Sequence, residues 1–146
     1  MTGQGQGPTL TPVPVPAPGL PHHLELWVGD LARAEESFGW LLGALGYAPF
    51  QHWDGGRSWV LGSFYLVVEE SPARHGDAHD RHRPGLNHLA LHVAGRAAVD
   101  ALAAEAPAHG WRLLFPDRHP HAGGPDHYAA YLENADGFEV ELVAAD

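Results

Sequence analysis

His22-His23-Leu24-Glu25-Leu26-Trp27-Val28 and Asn87-His88-Leu89-Ala90-Leu91-His92-Val93 are two copies of one pattern. Aligning His23 with His88 also aligns Leu24 with Leu89, Leu26 with Leu91 and Val28 with Val93, at a constant offset of 65 (88 − 23). Strict alternation of this kind predicts a strand with one apolar face. The leucines and the valine take that face. The other face carries His23, Glu25 and Trp27 in the first copy, and His88, Ala90 and His92 in the second. Histidines held off the packing face of two matched strands point to a metal site.

The duplication extends well beyond these two strands. Asp30 is the expected N-cap of a helix whose stripe is Leu31, Ala34, Phe38, Leu41, Leu42 and Leu45, ending at Gly43 and Gly46. A strand leading to Trp53, the hairpin signal Asp54-Gly55-Gly56-Arg57, a strand over 58–61 and another over 63–69 come next. After the second copy, a helix is predicted over 96–109, shortened or bent by Pro107. Strands over 111–115, 127–132 and 138–143 complete the second half, with turns at 119–125 and Asn134-Ala135-Asp136-Gly137. Each half therefore reads strand, helix, strand, strand, strand. The expected fold is α+β: two tandem βαβββ modules, 21–70 and 87–144, within one domain 21–146. Their mixed sheets are expected to face each other around a cleft, with the helices on the outside. Residues 71–86 are a His- and Arg-rich linker or lid, and the Pro/Gly-rich stretch 1–20 reads as a disordered tail.

Composition narrows the function. The chain is 45% hydrophobic with five tryptophans, which fits a globular domain with a core. Net charge is −10, and all eight basic residues are arginine. So acidic a chain, without a basic stripe, is a poor partner for nucleic acid or an anionic membrane. It contains no cysteine, so any metal must be held by histidine and carboxylate. No apolar run approaches the roughly 18 residues of a membrane span, and the N-terminus lacks a secretory pattern, so the cytoplasm is the expected compartment.

The last strand supplies acids. If Phe138, Val140 and Leu142 pack on the helix, Glu139 and Glu141 face the cleft, where a carboxylate is costly unless paired with a cation. Two neutral imidazoles and a carboxylate suit Zn, Mn, Fe, Ni or Co rather than Ca or Mg. Candidate bases beside such an ion are Glu25, Glu139, His92, His127 and Glu141 itself. Trp27, Tyr65, Tyr128 and Tyr131 are candidate pocket walls. His75, His79 and His82 read as a solvated loop rather than a second metal site.

The chain resembles the vicinal oxygen chelate superfamily, which includes glyoxalase I, extradiol dioxygenases and the fosfomycin- and bleomycin-resistance proteins. The motifs that carry the resemblance are His23-Leu24-Glu25-Leu26-Trp27-Val28-Gly29-Asp30, Leu42-Gly43-Ala44-Leu45-Gly46-Tyr47, Gly85-Leu86-Asn87-His88-Leu89-Ala90, and the run from Asn134 to Leu142. Together they span roughly residues 20–144. The resemblance implies His23, His88 and Glu141 as ligands of one divalent ion. It also implies chelation of a small oxygenated substrate by an isomerase, lyase or dioxygenase, in a protein expected to form a homodimer. Glu139 and His92 join Glu141 as candidate catalytic groups. The alternative is a metal-free binder of the bleomycin-resistance kind. Two departures stand out. The final turn reads Asn-Ala-Asp-Gly instead of the usual Asp-Pro-Asp-Gly. No acid stands at the usual fourth-ligand position, which Glu69 could reach only by a register shift. The scarcity of cations near the expected cleft argues against a fosfomycin-type transferase.

Overall fold

The computed structural model describes residues 16–146, so most of the expected tail lies outside the described residues. The first half contains β1 (His23–Trp27), α1 (Leu31–Ala44), β2 (Ala48–Trp53), β3 (Gly56–Leu61) and β4 (Phe64–Glu69). The second half contains β5 (Leu89–Val93), α2 (Arg96–Glu105), β6 (Trp111–Leu113), β7 (Ala129–Asn134) and β8 (Glu139–Ala144). Each half folds into a four-stranded sheet, ordered β1-β4-β3-β2 and β5-β8-β7-β6. In both, the first strand pairs in parallel with the last, and the other pairings are antiparallel. The two-module α+β architecture is the one read from the repeat.

Local chemistry sets the helix ends. The Asp30 carboxylate accepts a hydrogen bond from the Arg33 amide at 2.9 Å, filling one of the unpaired donors of the first turn of α1. Pro107 cannot donate its nitrogen to a helical bond, so α2 stops at Glu105 and a short 3-10 helix, Ala106–His109, completes the connection.

The modules meet through α1. Its buried residues Ala34, Phe38, Leu41 and Leu42 belong to one apolar core that also takes in Leu26, Leu66 and Val68 from the first sheet and Trp111, Leu132, Val140 and Leu142 from the second. Phe38 packs edge-on against both Trp111 and Phe138, with ring centroids 5.2 and 5.9 Å apart. Polar groups fix the register of this junction. The Trp111 indole donates to the Ser37 carbonyl at 2.9 Å, and Arg33 pairs with the buried Asp136 in the last turn. That turn is held in shape by Asn134, whose Oδ1 accepts from the amides of Asp136 and Phe138. The first sheet spends its leucine and valine face on α1 and the second spends its own on α2, and the histidine-bearing faces are the opposite ones. In the single chain these remain open, with Trp27 and Phe50 about half exposed on the first sheet.

Candidate metal centre

Glu141 is the focus of the second sheet's open face. It pairs across the ladder with Ala90 on one side and Tyr131 on the other. Its side chain is only 10% exposed, and no arginine among the described residues reaches it within ion-pair distance. Instead, His88 Nε2 lies 3.7 Å from Oε1, and His127 Nε2 lies 3.3 Å from Oε2. Burial, then hydrogen bonding to Glu141, then the charges of Glu141 and Glu139 push the Tyr131 phenol up to about 12. Tyr131 therefore stays protonated near neutrality and can only donate to the carboxylate beside it.

The orientation of His88 is set by its neighbour. Asn87 Nδ2 donates to the Arg81 carbonyl at 3.0 Å, which turns Oδ1 toward His88 Nδ1, 2.7 Å away. An amide oxygen can only accept, so His88 Nδ1 carries the hydrogen and Nε2 of the neutral ring presents a lone pair. Nε2 and the carboxylate oxygen stand 3.7 Å apart, too far for a direct hydrogen bond. Two ligands of one transition metal stand about 3.0 to 3.4 Å apart at metal–ligand distances near 2.1 Å. The observed separation is slightly wider, and the donor set fits such an ion.

Glu139 sits beside this pair in a different electrostatic setting. It is 4% exposed and lies 3.4 Å from Arg81 Nη1, while Arg81 Nε donates to Glu133 at 2.9 Å and Arg112 Nη2 to Glu133 at 2.6 Å. Burial raises the Glu133 carboxyl, but hydrogen bonds from Arg112 and Arg81 outweigh it and hold the group below the usual carboxylate range. Cations do therefore approach this face, unlike the expectation from sequence. Both are committed to Glu133 and Glu139, so neither is free for an anionic substrate. The linker, expected to be solvated, supplies one of them through Arg81. It also stacks His79 on Phe138 at 4.6 Å.

The other anticipated residues lie elsewhere. His23 is on the first sheet, stacked on Tyr65 at 4.9 Å and 2.8 Å from the His22 ring, and these contacts do not include His88 or Glu141. Glu25 accepts from the Trp27 indole at 2.8 Å. His92 shares the open face with Ala90, but it is exposed and lies at the module junction beside Leu45, Tyr47 and Leu61. Tyr128 is turned to Asp100. Matching the β1–β4 register to β5–β8 places Val67 where the second module has Glu141, so no carboxylate occupies the equivalent position. Among the described residues no three His, Asp or Glu side chains form a complete metal cage.

Residues 22–131 match the model of the Glyoxalase/Bleomycin resistance protein/Dioxygenase superfamily. The chain belongs to that superfamily. It is 45% identical over 125 residues to the uncharacterised Bacillus subtilis protein YqjT, covering 84% of this chain and 97% of that protein. A candidate glyoxalase of known structure from Bacillus halodurans is 42% identical, with a TM-score of 0.82 over 87% of this chain and 96% of that one. A fosfomycin resistance protein from Listeria monocytogenes, solved with Mn(II) and a dihydroxypropylphosphonic acid, is 17% identical with a TM-score of 0.60, covering 89% and 92% of the two chains. At that identity it speaks for the shared fold alone.

Proposed function

We propose that this superfamily member is a metal-dependent enzyme of the isomerase, lyase or dioxygenase kind, acting on a small oxygenated substrate. The carrying observation is the buried Glu141 carboxylate, facing the lone pair of His88 and without an arginine partner among the described residues. His88 and Glu141 would hold a divalent ion of the Zn, Mn, Fe, Ni or Co group, and His23 would complete the set. Such an ion supplies Lewis-acid stabilisation of an oxyanion as it develops on the substrate. The protein's own part is to keep His88 in one tautomer, to set Glu141 beside His88, His127 and Tyr131, and to occupy Arg81 with Glu139 and Glu133 so that it does not pair with Glu141. Glu139 and His92 remain the candidate proton-transfer groups on the same face.

Because His23 stands on the other module, its contribution is assigned to a second copy of the chain in a homodimer. Metal analysis of protein purified without added metal, repeated on Glu141→Ala, tests the reading. Stoichiometric divalent metal in the wild type and its loss in the variant are expected; a metal-free wild type overturns it. Mixing His23→Ala chains with Glu141→Ala chains tests the assembly, because a shared site returns one intact centre per mixed dimer. The half-exposed aromatics of the first sheet favour one alternative, a metal-free small-molecule binder, which saturable quenching of Trp27 fluorescence without metal would support.

A further inference from the structure

His127 does not come from a strand. It ends the turn between β6 and β7, yet its ring reaches the Glu141 carboxylate 14 residues on. The turn holds it from several sides. The His127 amide donates to the Gly124 carbonyl at 3.1 Å, and its own carbonyl lies 3.2 Å from the His121 ring nitrogen Nδ1. A carbonyl only accepts, so that nitrogen is the donor. Gly123 lies directly against the ring: a Cβ there would stand 2.6 Å from both His127 Cδ2 and the Tyr131 hydroxyl. Only a residue without a side chain lets this loop close onto the two groups that flank Glu141.

We infer that His127 is a positioning residue: through its Nε2–H it holds Glu141 Oε2, leaving Oε1 free to face His88 and bind the ion. The inference rests on the metal reading above. An ionised carboxylate has no proton to give, so the imidazole nitrogen 3.3 Å away must be the donor. With one oxygen held by this bond, the carboxylate's swing would be restricted, and Oε1 would be the oxygen turned toward His88. Outer partners of metal ligands of this kind commonly contribute tenfold to a hundredfold in affinity.

Co(II) titration of wild type, His127→Ala, His127→Gln and Gly123→Ala, followed by visible absorption, provides the test, with circular dichroism as the control for folding. His127→Ala should weaken Co(II) binding about tenfold or more while keeping the shape of the spectrum. His127→Gln, whose amide can still donate, should recover most of the loss. Gly123→Ala should show part of it, because the added carbon displaces the ring. Unchanged affinity in His127→Ala overturns the inference, and so does a changed spectrum, which would make His127 a ligand itself. A wild type that binds no Co(II) refutes the metal reading instead. In that event nitrogen-15 NMR of the metal-free protein decides on His127 alone. A ring protonated at Nε2 and shifted in Glu141→Ala supports the hydrogen bond, and a ring protonated at Nδ1 refutes it.

Discussion

Asn87→Ala is the sharpest probe of the centre, because it leaves every proposed ligand in place. Asn87 makes two side-chain hydrogen bonds, one from Nδ2 to the Arg81 carbonyl and one at Oδ1 from His88 Nδ1. The second restricts His88 to the tautomer with a lone pair on Nε2. Removing it lets the ring populate the other tautomer and rotate, which lowers its availability to a metal. Loss of such a partner typically costs 10- to 100-fold in affinity, or about 1.4 to 2.8 kcal/mol of binding. Isothermal titration with Mn(II) or Co(II) measures the loss directly. Asn87→Asp separates the two hydrogen bonds, since a carboxylate keeps the acceptor for His88 but loses the donor to Arg81. Affinity at or above wild type is expected for Asn87→Asp. Binding by Asn87→Ala within twofold of wild type, in a folded protein, would refute the reasoning. Equal weakening in Asn87→Asp would show that anchoring of the linker, and not the tautomer, is what matters.

Other consequences can be checked without metal. Phe38→Ala removes a fully buried ring shared by both modules and should cost about 3 to 5 kcal/mol in urea denaturation, with both modules unfolding together. Gly29→Ala would place a Cβ 2.0 Å from the Asp77 backbone oxygen, so the linker must lift and residues 71–86 should become faster targets in limited proteolysis. Glu133 is held below its ordinary range when folded, so its ion pairs stabilise above the unfolded carboxylate pKa and are lost as pH falls through the lower folded value. Urea midpoints in that acid range should fall less steeply for Glu133→Gln than for wild type. In an alkaline absorbance titration, Tyr131→Phe should delete a phenol that ionises only near 12.

The alternating runs at His23 and His88 were enough to place both sheets' faces, because strand periodicity depends only on neighbours along the chain. The same holds for the Asp30 cap, the Pro107 break and the placing of Glu139 and Glu141 on the face of β8 turned away from the helix. The roles of Arg81 and Asn87 were not legible in this way. Arg81 lies in a stretch without periodicity, and its pairing with Glu133 and Glu139 spans 52 and 58 residues. Nothing local distinguishes it from Arg74 or Arg83. His127 was only one of several candidate bases, since its turn geometry depends on Gly123 meeting a side chain from β7.

Sequence by itself determined the duplicated βαβββ plan and the faces that carry histidine, since both are written in local spacing and in the repeat, and its motifs carry the resemblance to the superfamily. The tertiary structure decided which of those histidines share a carboxylate. Side chains of α1 reach Trp111, Phe138 and Asp136 of the second module, so the modules join through that helix, and His23 makes its contacts with His22 and Tyr65 apart from the His88–Glu141 pair. The long-range contacts that join His88, Glu141, His127 and Arg81 arise from strand pairing and loop closure, which no stretch of sequence encodes alone.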